Sequence, residues 1–308
     1  MMMAQQKYKI AVILGGISAE REVSLRSGAA VVKALTNLGH AVTAVDGVAQ
    51  LLALNCEKFD VVFNILHGEA GENGELAGLL SSLGMKYTGC DANGAVLSWN
   101  KDIAKTLIHE AGMQTPQAQT LNDSAQLQLR QADSGPWIVK PTKEGSSVGL
   151  YYATSHDELK TVVKKALTEV DSILVESFIQ GSECTVAIVA GVVLPVVRIK
   201  PAVALYDYQA KYQSQQTQYF CPSGYDADLE QAIKQDALKI YEILKLKGWA
   251  RIDFIIDEQN KRWFLEANTT PGMTETSLVP KAAAAIGWSF DDLVGKILST
   301  AFEDENHV

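Results

Sequence analysis

Apolar and polar residues alternate in blocks along the first hundred positions. The runs at residues 9–14, 41–46 and 60–66 are short and apolar, which predicts buried strands. Between the first two runs, apolar residues recur at helical spacing as far as Leu38, and Gly39 predicts the end of that helix. Strands that alternate with helices pair in parallel. Residues 1–98 are therefore predicted to form a doubly wound α/β domain with a parallel sheet.

The pattern changes at Asn100. Strands are predicted near residues 116–121, 137–141, 150–154 and 173–179, and helices near residues 102–111 and 157–170. This mixture predicts an α+β unit over residues 99–181. Residues 182–308 combine further apolar strands with a helix near residues 228–246 and two closing helices, which predicts a second α+β unit.

Two apolar segments, RIDFII at 251–256 and RWFLEAN at 262–268, flank the polar sequence DEQNK and predict a β-hairpin. A turn centred between Gln259 and Asn260 sets Asp253 opposite Glu266. Because side chains alternate along a strand, Asn268 lies on the same face as Glu266. Three oxygen-bearing side chains are thus predicted to converge.

Two carboxylates that face each other in a sheet are costly unless a cation or a proton compensates them. Oxygen ligands favour a hard ion, and so few protein ligands leave positions for water or phosphate oxygens, as is usual for Mg²⁺. Arg251 shares this face by parity and would add a positive charge. The alternative is an exposed hairpin edge with solvated acids, but the apolar flanks of both strands favour a metal site.

A glycine- and serine-containing loop, PTKEGSSVG at 141–149, joins two predicted strands. Such a loop can offer backbone N–H groups and hydroxyls to an anion. It is not a Walker A loop, and the chain contains no G-x-G motif. A hairpin loop without a ligand is the alternative. Lys140, at the end of an apolar strand, favours the anion site because it indicates a charge directed into a cleft.

Composition narrows the classes of ligand. The formal net charge is −9 and no run is rich in Lys or Arg, so the surface repels nucleic acid. The longest apolar runs fall far short of the roughly 20 residues of a membrane helix, and the N-terminus lacks the apolar segment of a signal peptide. The four cysteines are scattered, which fits reduced thiols. We expect a cytoplasmic protein with small ligands and neither nucleic-acid nor membrane partners.

Six segments together resemble the D-alanine:D-alanine ligases, a family of the ATP-grasp superfamily. They are GGISAEREVSLRSG (15–28), NILHGEAGENGELAGLL (64–80), VKPTKEGSSVG (139–149), YDYQAKYQSQQTQYFCPSG (206–224), KGWARID (247–253) and LEANTTPGMTETSLVP (265–280). The resemblance covers nearly the whole chain. It implies that residues 99–181 and 182–308 are two parts of one ATP-grasp domain that follows the N-terminal domain.

The resemblance also implies a reaction. ATP would phosphorylate the carboxylate of one D-alanine, and the amine of a second would attack the acylphosphate, giving D-alanyl-D-alanine, ADP and phosphate for peptidoglycan synthesis. Two Mg²⁺ ions, replaceable by Mn²⁺, are implied beside ATP as co-substrate, and so is a homodimer. Phosphoryl transfer depends mainly on positioning and charge neutralisation, which fits the predicted metal site and loop.

Carried over by position, the resemblance implies several sets of residues. Metal ions would be held by Asp253, Glu266 and Asn268. The nucleotide would be bound by Lys101, Lys140, Glu144, Ser146, Ser147, Glu176, Ser177, Phe178, Ile179, Glu183, Lys211, Phe264 and Asn268. The amino acids would be bound by Glu20, His67, Arg251, Gly272, Ser277 and Leu278, and the catalytic residues would be Glu20, Ser146, Tyr212 and Arg251.

In this assignment Glu20 orients the ammonium of the first D-alanine, with His67 nearby, and Arg251 neutralises the acylphosphate. Ser277 and the amide of Leu278 bind the second carboxylate at a helix start. Each residue also has a simpler explanation. Glu20 could be an ordinary acid in the first turn of a helix, His67 a polar residue that ends a strand, and Ser277 a serine that only caps a helix.

The polar stretch at 206–218 would close over the site and exclude water, with Lys211 at the phosphate and Tyr212 linked through Ser146 to Glu20. An ordinary surface loop is the alternative. The chain departs from the family at Asn100, where an acid is usual before the lysine, and this leaves the orientation of Lys101 open.

Three other functions fit parts of the sequence. Another ATP-grasp ligase would keep the nucleotide and metal residues but change Glu20, Tyr212, Ser277 and Leu278, which all match the D-alanine pattern. A nicotinamide-dependent oxidoreductase needs a glycine fingerprint that the chain does not supply. A non-catalytic nucleotide-binding regulator would be expected to lack a metal ligand or Arg251.

Overall fold

The structure is a computed structural model that describes residues 6–129, 135–143, 145, 149–200 and 217–303. Within these ranges the strands form three sheets. None of the helices in the same ranges combines the length and the apolar character needed to cross a membrane.

The first sheet is parallel, as predicted. Its unit contains β1 (Lys9–Leu14), α1 (Arg21–Asn37), β2 (Ala41–Asp46), α2 (Gly47–Ala53), β3 (Val61–Asn64), α3 (Glu69–Glu72), α4 (Glu75–Ser82) and α5 (Ala92–Trp99). The strand order is β2-β1-β3, and β1 pairs in parallel with both neighbours. Helix α1 packs on one face of the sheet, and α2 and α4 pack on the other. The doubly wound arrangement is confirmed.

The second sheet is antiparallel. Its unit contains α6 (Lys101–Glu110), β4 (Ala118–Leu121), β5 (Trp137–Pro141), β6 (Tyr151–Ala153), α7 (His156–Glu169) and β7 (Ile173–Ser177). The strand order is β4-β7-β5-β6. Leu159, Val163 and Ala166 of α7 bury one face of this sheet.

The third sheet is also antiparallel. Its unit contains β8 (Ser182–Val189), β9 (Val192–Val193), β10 (Val197–Lys200), β11 (Gln218–Phe220), α8 (Ala227–Ile243), β12 (Trp249–Ile256), β13 (Arg262–Asn268), α9 (Leu278–Ala285) and α10 (Phe290–Ser299). The strand order is β11-β10-β8-β12-β13, and β9 pairs with β8. Helix α8 covers one face of this sheet through Ile233, Ala237 and Ile240.

One hydrophobic core joins the first and third units. Ile10 and Val12 of β1 belong to the same buried cluster as Trp249 of β12 and Leu293 and Ile297 of α10. Burial of apolar side chains from both units in one cluster links their stabilities. The proposed bounds 1–98, 99–181 and 182–308 stay predictions.

Two local features differ from the sequence predictions. Helix α5 was not predicted; it begins after Asp91, whose side chain accepts the N–H of Gly94 at 2.9 Å. The segment KYTG at 86–89, which the sequence predicts as a short strand, contributes a single parallel bridge between Tyr87 and Val62. Most of the predicted covering stretch at 206–218 lies outside the described residues.

Candidate active site

The hairpin formed by β12 and β13 places the two predicted acids opposite each other. Asp253 pairs with Glu266, and Arg251 pairs with Asn268, which confirms the predicted register there. A bulge follows, because Phe254 pairs with Phe264 and residue 265 is left as the extra residue of β13. Between the bulge and the turn the predicted register is therefore wrong by one residue.

The Asp253 carboxylate is almost fully buried and carries several hydrogen bonds. Arg251 donates Nε–H to Oδ1 at 2.9 Å and Nη2–H to Oδ2 at 2.8 Å. Thr185 of β8 donates its hydroxyl to Oδ1 at 2.6 Å, and Asn268 donates its amide N–H to Oδ2 at 3.1 Å. A charge-assisted, two-pronged contact of this kind also fixes the orientation of the guanidinium.

The Glu266 carboxylate has its own cation, since Lys101 Nζ lies 3.5 Å from Oε2. The backbone N–H of Lys101 is held by Thr142 O at 3.1 Å, so Asn100 before it does not turn this lysine away from the cleft. Each hairpin carboxylate thus has a cation from the chain itself. The prediction that a cation compensates the two facing carboxylates is met in part by the chain itself, because Lys101 and Arg251 offset their charge. The metal ion stays a prediction.

The hairpin still fits a hard cation. The Glu266 side chain is 20% exposed and lines the cleft, and Asn268 uses its amide nitrogen toward Asp253, which leaves its carbonyl oxygen for another partner. Oxygen donors are the type that Mg²⁺ prefers. No three His, Cys, Asp or Glu side chains in the described ranges form a metal-binding group. The donor set therefore suits an ion that takes some of its ligands from phosphate oxygens. It suits less well an ion that is enclosed by protein ligands alone.

The hairpin forms one wall of a cleft of about 1030 Å³, open solvent at its mouth included. Glu20 follows β1 and His67 follows β3; parallel strands bring both residues to the same edge of the first sheet. The sequence-predicted residues that line the cleft are Glu20, His67, Lys101, Glu183, Arg251, Asp253, Glu266, Asn268, Gly272, Ser277 and Leu278.

Glu20 meets the loop that follows β5. It is 7% exposed and stands directly before α1, and its side chain does not cap that helix through a hydrogen bond. A Cβ on Gly145 would overlap the Glu20 carboxylate, so a larger residue there would have to displace that side chain. The predicted residues that lie outside the described part of the chain are Glu144, Ser146, Ser147, Lys211 and Tyr212. Their roles stay predictions.

Ser277 stands directly before α9 without capping it through its side chain. Its hydroxyl oxygen accepts the N–H of Thr274 at 3.0 Å and lies 2.8 Å from the Thr274 hydroxyl. The alternative of a serine that only caps the helix is therefore contradicted. The first amides of α9 have no side-chain cap from Ser277, and a helix start of this kind favours an anion.

His67 is buried in the cleft wall, with 4% of its surface exposed. Its Nδ1 lies 2.9 Å from the carbonyl oxygen of Ile65. A carbonyl oxygen only accepts hydrogen bonds, so Nδ1 carries the proton and Nε2 carries a lone pair in the neutral ring. Burial lowers the pKa of His67, an effect that Glu20 opposes and Arg251 reinforces. His67 is thus held neutral, with Nε2 toward the cleft.

Glu72 is a cleft residue that the sequence prediction missed. It is 8% exposed, and its Oε2 accepts the N–H of Gly68 at 2.8 Å. Burial, together with the charge of Glu20, raises the pKa of Glu72 to about 8, so it is largely protonated at neutral pH. Acids at 69, 72 and 75 share this segment. Their spacing alone does not show which of them is turned inward.

Lys140 and Glu176 lie outside the residues that line this cleft and form a buried ion cluster with Lys105. Both lysine Nζ atoms are 2.9 Å from a Glu176 oxygen. Burial lowers the pKa of Lys105 to about 8; Glu176 opposes this effect, and the charge of Lys140 adds to it. Burial alone would raise the pKa of Glu176, but its two lysines bring it below the ordinary value. Lys105 was missed, although it follows Lys101 by four residues on the buried face of α6.

The remaining predicted nucleotide residues are Ser177, Phe178, Ile179 and Phe264. The first three follow or end β7 and are partly exposed. Phe264 is fully buried in the core between the third sheet and α8, and its carbonyl oxygen accepts the hydroxyl of Thr115 at 3.0 Å. Their contacts with a nucleotide stay predictions.

Comparison with known proteins identifies the family. A model described as D-ala D-ala ligase C-terminus matches residues 107–299, and one described as D-ala D-ala ligase N-terminus matches residues 47–90. The chain belongs to the D-alanine–D-alanine ligase family. The D-alanine–D-alanine ligase B of Chromobacterium violaceum is 42% identical over 298 residues, which cover 96% of this chain and 98% of that ligase. The D-alanine–D-alanine ligase of Nitrosomonas europaea is 44% identical over 297 residues, which cover 96% and 97%.

Solved structures of such ligases share the fold. The D-alanine–D-alanine ligase from Bacillus anthracis, crystallised in complex with ATP, matches with a TM-score of 0.84 and 27% identity over 96% of this chain and 97% of that chain. The VanG D-Ala:D-Ser ligase from Enterococcus faecalis matches with a TM-score of 0.81 and 28% identity over 96% and 100%. The predicted ATP-grasp arrangement after an N-terminal α/β domain is confirmed.

Proposed function

We propose that this member of the D-alanine–D-alanine ligase family joins two D-alanine molecules in an ATP-dependent reaction. The products are D-alanyl-D-alanine, a precursor for peptidoglycan, together with ADP and phosphate, and the intermediate is D-alanyl phosphate. One observation carries the proposal: Glu20, Lys101, Arg251, the hairpin carboxylates and the start of α9 meet in one cleft. This cleft is built on a fold shared with a ligase that was crystallised with ATP.

At the nucleotide end, lysines and backbone amides supply positive charge for phosphates. Lys101 lines the cleft, Lys140 is the last residue but one of β5, and the 141–149 loop would offer N–H groups. Asp253, Glu266 and Asn268 would hold Mg²⁺, which when bound neutralises phosphate charge and polarises the transferred group. The carboxylate-rich hairpin and the lysines are thus assigned to the same nucleotide.

At the amino-acid end, the described residues match the opposite charges of an amino acid. Glu20 accepts an ammonium group, while the first amides of α9 bind a carboxylate. Arg251 is held by Asp253 through two hydrogen bonds, so its guanidinium is already oriented when negative charge develops on the substrate. Residues 206–218 would exclude water that could hydrolyse the acylphosphate. A homodimer and a cytoplasmic location stay predictions.

Ligation of D-alanine to D-serine is the second candidate. It is favoured by the match to the VanG D-Ala:D-Ser ligase, whose TM-score is close to that of the Bacillus anthracis ligase. The two reactions differ only in the second amino acid, so the family fold alone does not separate them.

Phosphate release from ATP tests both candidates. We expect release to require D-alanine and Mg²⁺ together, and to be absent with L-alanine. When D-alanine and D-serine compete at equal concentration, we expect D-alanyl-D-alanine to exceed D-alanyl-D-serine. Rapid release with L-alanine or without any amino acid would reject the ligase assignment, and an excess of the mixed dipeptide would select the second candidate.

A further inference from the structure

His67 presents a buried acceptor to the cleft. Its Nδ1 is occupied by the Ile65 carbonyl at 2.9 Å, and Nε2 has no hydrogen-bond partner in the described part of the chain. A buried polar atom without a partner is destabilising, so it is rarely kept unless a ligand satisfies it. The unpaired atom therefore marks a place where a ligand donates a hydrogen bond.

The tautomer limits what that ligand group can be. Because Nδ1 carries the ring proton, Nε2 can only accept. A carboxylate or a fully ionised phosphate has no proton to donate, whereas an amine or ammonium has several. ATP also carries donors, namely its adenine amino group and ribose hydroxyls. Because Glu20 and the start of α9 line the same cleft as His67, an amino group of an amino acid fits this position best.

The position of Gly272 indicates which amino acid donates. A Cβ on Gly272 would lie 4.0 Å from His67 Nε2 and 3.0 Å from Ser277 Oγ. His67 and the start of α9 thus flank the same glycine. In an α-amino acid, one carbon separates the amine from the carboxylate, so a molecule whose carboxylate lies at the start of α9 can direct its amine to Nε2. The Glu20 carboxylate acts on His67 as well, and it also lies against Gly145 of the phosphate loop.

We propose that His67 Nε2 accepts a proton from the ammonium group of the second amino acid, the one that attacks the acylphosphate. This rests on the proposed ligase function. The ammonium N–H bond breaks, its electron pair stays on nitrogen, and the proton binds Nε2. The nitrogen then forms a bond to the acyl carbon while the bond from that carbon to the phosphate oxygen breaks. The second amine proton leaves with phosphate, and the imidazolium returns its proton to solvent.

The surroundings of the ring act in both directions, because burial and Arg251 disfavour the imidazolium while Glu20 favours it. Before the substrate binds, burial keeps the imidazole neutral and therefore able to accept. Glu20, at the start of α1, stabilises the imidazolium that forms, and Arg251 of β12 opposes it. Glu72 of α3, which bonds the neighbouring Gly68, is largely protonated at neutral pH and adds little charge.

Two variants separate the two ring nitrogens. His67→Asn places an amide near Nδ1 and can keep the bond to the Ile65 carbonyl, but it has no atom at Nε2. His67→Gln can place an amide oxygen near Nε2, where it accepts a hydrogen bond but takes up no proton at neutral pH. If His67 is only structural, His67→Asn retains full activity. Thermal unfolding of both variants checks that they fold.

The readout distinguishes the two half-reactions. ATP is labelled with oxygen-18 at the β,γ-bridging position. When acylphosphate forms reversibly, before the second amine attacks, the label scrambles from the bridge to non-bridging positions of the β-phosphate. We expect His67→Asn to keep this scrambling with D-alanine while dipeptide formation falls about 100-fold, a typical loss for a general base. Equal losses of scrambling and dipeptide, or no loss of dipeptide, would overturn the proposal. Absence of both in the wild-type enzyme would reject the ligase function, and this proposal with it.

The pH profile separates a base from a simple acceptor. For His67→Gln, kcat/KM for the second D-alanine should rise by about tenfold per pH unit until free D-alanine itself is deprotonated, because the variant depends on amine that is already neutral. The wild-type profile should be flatter over the same range. Parallel profiles for the two enzymes would contradict a proton transfer to His67.

Discussion

A single buried carboxyl, Glu72, makes the stability of this protein depend on pH. Its pKa is about 8 in the folded chain, against an ordinary value of 4.5. A carboxyl whose pKa is raised by folding contributes stability that is present below pH 4.5 and lost as the pH rises through about 8. The loss follows because the ionised form must remain buried next to Glu20, whose charge opposes it.

We predict that Glu72→Gln removes this dependence. Relative to wild type, the unfolding temperature of the variant should rise by at least about 3 °C between pH 6 and pH 9, since the amide has no proton to lose. Differential scanning fluorimetry at the two pH values measures the change. Glu75→Gln, at an exposed acid of the same segment, is the matched control and should show no such change. If the unfolding temperatures of Glu72→Gln and wild type differed by the same amount at pH 6 and pH 9, Glu72 would titrate in an ordinary range.

At the level of residues, the sequence motifs brought out residues that line the cleft, but they did not show which ionisable residues are buried. The motifs brought out Glu20, His67 and Ser277 because each stands in a segment that resembles a family. Glu72 and Lys105 were missed because their pKa shifts come from burial, and burial depends on elements distant in the chain. For Lys105 a signal existed in the helical spacing from Lys101, whereas for Glu72 none did.

At the level of elements, the β12–β13 hairpin sets the geometry of the site. Alternation along each strand predicted that Asp253 would face Glu266, and the pairing is confirmed. The turn position alone did not predict the bulge at residue 265, because a bulge depends on how β13 packs as well as on its sequence. The compensation of the two acids by Arg251 and Lys101 likewise required the neighbouring strands and α6 to be in place.

We predict that Glu266→Gln lowers the turnover number roughly 100-fold or more while the unfolding temperature changes little. The substitution removes a negative charge from the cleft and leaves Lys101 without its carboxylate, so the charges that meet the nucleotide no longer balance. Steady-state kinetics with saturating ATP and D-alanine measures the effect. Glu258→Gln, at an exposed residue in the turn of the same hairpin, should retain activity. Wild-type turnover in Glu266→Gln would exclude this carboxylate from the reaction.

At the level of the whole molecule, the C-terminal helices complete the N-terminal sheet. Leu293 of α10 is fully buried in the cluster that contains Ile10 and Val12 of β1. Sequence periodicity predicted two closing helices but not that they would pack against the first unit, because periodicity shows which face is apolar and not which partner covers it. The cleft lies between units that share this core, so its shape depends on residues at both ends of the chain.

We predict that Leu293→Ala destabilises the first unit as well as its own helix. Removal of a fully buried leucine side chain costs about 2–5 kcal/mol. Hydrogen exchange followed by mass spectrometry should show faster exchange in β1 than in wild type. Leu159→Ala, at a fully buried leucine of α7, is the matched control and should increase exchange in the second sheet with less effect on β1. If Leu293→Ala left β1 unchanged, the two units would be energetically independent.

The most direct test of the proposed reaction is mass analysis of the products formed from ATP, Mg²⁺ and D-alanine. A cleft that places an ammonium site, a carboxylate site and phosphate-binding groups together should yield D-alanyl-D-alanine with one ADP for each dipeptide. ADP without dipeptide, or no turnover by a folded protein, would contradict the proposed function.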